Sequence, residues 1–201
     1  LSLHDALPIL ELDTCSTNAP RYWLTLWRRI ARKKARLTSL LAGHDLVISS
    51  MFPMNWLTAD VAMPRLQICY EPFAFFYDRV FLQNFRVHER AFFRLMARIY
   101  ARHDQDATRH MSRVLTISHT NVPRLKATYG VDATPIYAGI DTVLFSRADD
   151  ATIAAIRQRH PGQPLLIHGT DLTGIKGSYP LLEVLADLVP THPAIRLLVT
   201  I

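Results

Sequence analysis

The strongest constraint on this chain is the alternation of short, β-branched apolar runs with helical stretches. From Arg113 the sequence reads RVLTIS, a helical stretch at 119–129, the run TPIYAG and a polar helical stretch at 150–160. It continues with PLLIHG, a helical stretch at 177–190 and a last apolar run at 195–201. Upstream, HDLVISS (44–50) and RLQICY (65–70) have the same character. Short strands separated by helices predict parallel pairing, because parallel neighbours need a long crossover between them. The expected class is therefore α/β, with a parallel sheet covered by helices on both faces.

Two basic helices stand out. Residues 20–42 carry Trp23, Trp27, Ile30, Leu37 and Leu41 at spacings of three or four, which predicts an amphipathic helix ended by Gly43. Its tryptophans are expected inward, and its Arg and Lys residues, with no acid among them, outward. A long helix is predicted over 78–111, with Phe81, Phe85, Phe92, Leu95, Met96 and Ile99 as its apolar face. Arg86, Arg90, Arg94, Arg98 and Arg102 recur every fourth residue on it. Like charges at that spacing repel by a few tenths of a kcal/mol per pair, so the row needs full hydration or an acidic neighbour.

Bulk composition narrows the class further. The chain has 201 residues, 49% of them hydrophobic, which is a globular composition. A net charge of +6 favours acidic surfaces: anionic lipid, nucleic acid or phosphorylated substrates. Cys15 and Cys69 make neither a disulfide framework nor a metal-ligand spacing. No apolar run reaches the roughly 18–20 residues of a membrane-spanning helix. The first nine residues, LSLHDALPI, resemble a translated sequencing adapter and are expected to be a non-native scar. With the final strand-like run IRLLVTI, this makes the chain an expected fragment, cut at both ends.

The segment HGTDLTGIKGSYPLL carries the clearest chemistry. Apolar residues run to Ile167; Gly169, Thr170, Asp171, Thr173, Gly174, Lys176 and Gly177 follow, and then a helix begins. Glycines let the backbone approach a ligand, and a helix N-terminus offers free N–H groups to a phosphate. Lys176 adds a full positive charge. The spacing is neither a Walker loop nor the dinucleotide glycine fingerprint. Ser118–His119 lacks the glycine elbow of a nucleophilic serine, and His44–Asp45, entering a strand, reads as structural.

The order of these pieces resembles retaining glycosyltransferases of family 4. Those enzymes carry a strand ending in Ser, a helix ending in Tyr-Gly, a short strand, and Gly-x-Asp leading to Phe; here these are Ser118, Tyr129–Gly130, Gly139, Asp141 and Phe145. Lys176 and Gly177 match their phosphate loop, Asp104 matches the Asp opening the segment before the Ser-ending strand, and QICYEPFAFFYD resembles their His-Glu-Pro segment. The likeness covers about residues 40–201.

The resemblance implies a GT-B-like fold. A partial, doubly wound N-terminal domain would span residues 10–145, and the first βαβ of a second Rossmann-like domain 146–201. It implies transfer from a nucleotide-sugar, used as substrate with no cofactor and no metal, to a lipid or polysaccharide acceptor. Gly169, Thr170, Lys176 and Gly177 would bind the donor phosphates, Tyr70 and Glu71 would take the catalytic edge, and Gly139 and Asp141 the interdomain position. The implied location is cytoplasmic, with residues 20–42 as a contact to an anionic membrane surface and no nucleic acid as partner.

This sequence departs from the family in three places. Thr170 stands where the family has Arg, Tyr70 where it has His, and Ala74 where it has Arg. A phenol does not exchange protons near neutrality as an imidazole does. The family's pair of glutamates, seven apart, would fall beyond Ile201, so this fragment is expected to be inactive by itself. Two other readings are a non-catalytic basic α/β module binding anionic membrane or nucleic acid, and a GT-B relative that has lost activity.

Overall fold

The structure is a computed structural model and describes residues 20–170 and 174–200. The expected scar at residues 1–9 lies outside them. The chain divides into two compact units, one ending at Ala138 and one beginning at Gly139.

The first unit opens with α1 (Pro20–Leu40), followed by β1 (Val47–Ser49), α2 (Met54–Leu57) and β2 (Arg65–Ile68). Two single turns, α3 (Ala74–Tyr77) and α4 (Arg79–Leu82), lead to α5 (Val87–Arg109). Then come β3 (Arg113–Thr116), α6 (Asn121–Tyr129) and β4 (Thr134–Pro135). The strands form one parallel sheet in the order β1-β2-β3-β4, with Ser49 opposite Gln67 and Gln67 opposite Val114. The chain is thus α/β with parallel pairing.

Three expectations need correction. Asp78 caps α4 by accepting from Phe81 N, but the helix over 78–111 is broken after Leu82, because Arg86 is extended and Glu89 Oε2 accepts from Arg86 N at 2.7 Å to open α5. Its buried face is Phe93, Met96, Tyr100 and Asp104, whereas Leu95 and Ile99 are about half exposed. On α1 the core takes Trp23, Leu26, Ile30 and Leu37, and Trp27 is 58% exposed. The sheet, finally, buries one face only. Val47, Ser49, Gln67, Cys69, Val114 and Thr116 are buried, but none of Ile48, Leu66, Ile68, Leu115, Ile117 and Ile136 is.

The core of this unit is aromatic. Trp23 is fully buried and meets Phe52, Phe73, Phe76, Phe93 and Tyr100 at ring-centroid distances of 5.6–6.4 Å. The Tyr100 hydroxyl donates to the Trp23 carbonyl at 2.8 Å, which joins α1 to α5. A second core under the sheet holds Cys69, Val114, Leu125, Tyr129 and Ala133. Between the two lies a buried polar knot. Asn55 Nδ2 donates to Asp104 Oδ1 at 2.6 Å and to Thr108 Oγ1 at 3.0 Å, and the Tyr129 hydroxyl donates to Asp104 Oδ2 at 2.8 Å. Burial raises the Asp104 carboxyl above the ordinary aspartate range, although the donors from Asn55 and Tyr129 pull it down.

The second unit holds α7 (Asp150–Arg159), β5 (Leu165–Gly169), a short 3-10 turn (Gly174–Lys176), α8 (Ser178–Leu188) and β6 (Arg196–Thr200). β5 and β6 pair in parallel, with Ile167 opposite Leu198. Asp149 caps α7 by accepting from Thr152 N at 2.8 Å. Gly162 is required here, since a Cβ on it would lie 2.4 Å from Arg196 Cγ and 2.6 Å from the Ala194 carbonyl oxygen.

Two opposite outcomes follow for buried polar residues. Asp104→Ala strands the Asn55 and Tyr129 donors and should cost about 2–5 kcal/mol in denaturant unfolding. A raised carboxyl pKa means the folded state holds the proton longer than the unfolded chain. Asp104 therefore makes stability fall as pH rises from the ordinary aspartate range through its elevated value, and Asp104→Asn should remove that slope. Gln67, by contrast, is fully buried and both polar atoms of its side chain lack a partner. Gln67→Met should be neutral or stabilising by roughly 1 kcal/mol in the same assay.

Candidate functional sites on the two units

In a parallel α/β unit the carboxyl ends of the strands share one edge, and ligands bind there. In the first unit that edge carries Tyr70 and Glu71 after β2, Ser118 and His119 after β3, and Tyr137 after β4. The Tyr70 carbonyl accepts from Thr116 Oγ1 at 3.3 Å and from Asn121 Nδ2, which pins the loop after β2 to β3 and α6. That leaves the Tyr70 side chain 45% exposed at the edge. Arg124, in the first turn of α6, reaches Glu71 Oε2 at 3.5 Å and Asp78 Oδ2 at 3.7 Å. The His119 and Tyr137 rings lie 6.0 Å apart. The edge therefore presents a phenol, a carboxylate paired with a guanidinium, and an imidazole, all open to solvent.

Behind this edge the knot at Asp104 sets the loop. The Tyr129 hydroxyl that donates to Asp104 also accepts from Phe73 N at 3.3 Å, two residues beyond Glu71. Cys69 Sγ donates to the Glu71 carbonyl at 3.3 Å. Burial, then Asp104, then Glu71 push the Cys69 thiol up to about 12, so it stays protonated and is no nucleophile near neutrality. Burial followed by Asp104 also raises the Tyr77 and Tyr129 phenols. An open pocket of about 340 Å³ lined by Lys34, Trp56, Arg65 and His103 lies at Arg65, the amino-terminal end of β2, away from Tyr70 and Glu71.

In the second unit the equivalent edge follows β5. Gly169 ends the strand, Lys176 ends the 3-10 turn, and Gly177 opens α8 at φ 70°, a left-handed conformation that disfavours any residue with a Cβ. Lys176 is exposed and, among the described residues, has no ion-pair partner. Asp171 and Thr173 lie outside the described residues. The Thr170 hydroxyl is buried 2.6 Å from Ser178 Oγ, and His168 Nε2 lies 3.0 Å from the same oxygen. Thr170 thus serves as an internal brace between β5 and α8, where the sequence suggests a phosphate contact.

The residues expected at the interdomain position stand at the start of the second unit. Gly139 begins the second unit, and Asp141 closes a local turn, its Oδ1 accepting from Val143 N at 2.9 Å and Leu144 N at 3.0 Å. Ala74 starts α3 and brings no charge to the edge. Sequence reasoning missed Arg124, His168 and Ser178. A usable signal existed for two of them, since the first helical turn after each strand of a βα unit faces the carboxyl edge, and Arg124 and Ser178 both sit there.

No protein-family model matches this chain, and no curated protein matches it. The Glu71–Arg124 pair is half exposed on both sides. Glu71→Ala should therefore change unfolding stability by less than about 1 kcal/mol, so that any loss of ligand binding in this variant, measured alongside, reports on the edge itself and not on folding.

Proposed function

We propose that the chain belongs to a retaining glycosyltransferase with the GT-B arrangement, which transfers a sugar from a nucleotide-sugar to a lipid or polysaccharide acceptor. The observation that supports this most is the β5–α8 turn: a parallel strand ending in Gly169, an exposed Lys176, and left-handed Gly177 opening an eleven-residue helix. This brings a full positive charge and free amide donors to one end of one helix, which suits a diphosphate.

The chemistry asks for little covalent help. The bond from the anomeric carbon to the diphosphate oxygen breaks, and negative charge accumulates on the departing group. Lys176 and the first N–H groups of α8 stabilise that charge, and fixed donors do so without reorganising. The buried Thr170–Ser178–His168 contacts hold the turn in place for this task. The acceptor is assigned to the strand edge of the first unit, where Tyr70 and Glu71 are solvent-facing. The departures at Tyr70, Ala74 and Thr170 favour a relative whose proton chemistry differs from the family pattern, or one that retains binding without turnover. The use of a nucleotide-sugar suits a cytoplasmic location.

The test is calorimetric titration of the chain with uridine and guanosine diphosphates. One of the two should bind, and Lys176→Ala should weaken it roughly tenfold to hundredfold, the loss of one charge-assisted hydrogen bond. Equal affinity in the variant, or no binding of either nucleotide, removes the reading.

A further inference from the structure

The solvent side of α1 and α5 combines features that a merely hydrated surface does not need. Side chains of the two helices meet: Trp23 packs on Tyr100, Trp27 lies 5.7 Å from His103 in ring centroids, and Lys34 lines a cavity with His103 and Asp106. These contacts advance along both helices in the same direction. Leu24 is one turn before Trp27, and Ile99 and Leu95 are one and two turns before His103. All four are exposed, at 69%, 58%, 48% and 50% for Leu24, Trp27, Ile99 and Leu95. They share the flank where the helices meet.

Arginines border this apolar strip on both sides. Arg21, Arg28 and Arg32 are exposed on α1, and Arg94, Arg98 and Arg102 are exposed on α5. α1 contains no acid. On α5, Glu89 is engaged in capping Arg86 N, and Asp106 pairs with Arg102 at 3.6 Å and with Arg109 at 3.6 Å. Arg21, Arg28, Arg32, Arg94 and Arg98 have no ion-pair partner among the described residues.

We propose that this two-helix face docks on the surface of an anionic lipid bilayer. Apolar side chains flanked by two cationic rows match an interface with hydrocarbon below and negatively charged headgroups beside it. The arginine stems lie along the bilayer surface with their guanidiniums at headgroup level. A nucleic acid would engage the arginines but leave Leu24, Trp27, Leu95 and Ile99 in water, so the apolar strip selects lipid. No helix among the described residues is long and apolar enough to cross a membrane, so the attachment is peripheral. The sequence pattern offers both basic helices for an anionic surface, with the tryptophans of α1 inward; the structure turns Trp27 outward. This proposal is independent of glycosyl transfer.

The experiment uses the 201-residue chain and sedimentation with phosphatidylcholine vesicles, with and without phosphatidylglycerol. Binding is expected only with phosphatidylglycerol. Removing two arginines on the solvent side, Arg94→Gln with Arg98→Gln, should lower partitioning roughly tenfold or more. Leu95→Asn with Ile99→Asn should also lower it, and unchanged thermal midpoints would show that neither pair acts through folding. Trp23 and Trp56 are buried, so brominated phosphatidylcholine mixed into the anionic vesicles should quench Trp27 selectively. Equal partitioning of the arginine variant, or vesicle binding without quenching, overturns the proposal. Salt-steep binding to duplex DNA with no vesicle binding also overturns it, and assigns the face to nucleic acid.

Discussion

The carboxylate of Asp104 is the constraint on which the first unit depends. It is fully buried, yet it meets the Asn55 amide from α2 and the Tyr129 hydroxyl from the end of α6, while belonging to α5 itself. Three helices distant in sequence are thereby fixed to one point. A buried carboxyl is tolerated only when its oxygens are satisfied, and these are. The same hydroxyl accepts from the backbone of Phe73, so the loop carrying Tyr70 and Glu71 takes its position from a group it never touches directly. The aromatic cluster around Trp23 supplies most of the apolar burial, but it is non-directional, whereas the Asp104 contacts specify which elements meet and in what register.

The two units are built to different depths. The first has a cluster of thirteen buried apolar residues, with further aromatics packed against it. The second, around the two-stranded pair of β5 and β6, buries Leu185 and Ile195 with Thr170 and Ser178, and α7 has no buried residue at all. Two strands give little independent stability, so the second unit belongs to the part of the chain that opens most readily. Its ordering at the β5–α8 turn rests instead on short hydroxyl and imidazole contacts, which makes that turn sensitive to small changes in its surroundings.

Much of this was legible in the residues, for identifiable reasons. Short β-branched runs between helical stretches located each strand among the described residues to within a few positions, because parallel crossovers leave that signature directly. Gly130 and Gly177 marked helix boundaries because both adopt positive φ, 74° and 70°. The failures have one origin: hydrophobicity gives the spacing of a helix face but not the direction it points. Trp27, Leu95 and Ile99 were placed inward on spacing alone, and Trp27 instead lies at the margin between two helices, its ring against His103 and its edge in water. The break between α4 and α5 was invisible to the period because it is made by an extended Arg86 whose N–H is held by the Glu89 side chain. At the sites, Lys176 and Gly177 follow from local turn chemistry, while Arg124, His168 and Ser178 matter through partners that only the folded chain brings near.

The protonated, enclosed thiol of Cys69 has a use of its own. It sits between the loop after β2 and the Asp104 knot, so an alkylating reagent can reach it only when that region separates. Its modification rate, followed at that one residue by mass spectrometry, is a clock for how often the strand edge comes apart in an otherwise folded molecule. Anything that grips the edge should slow the clock.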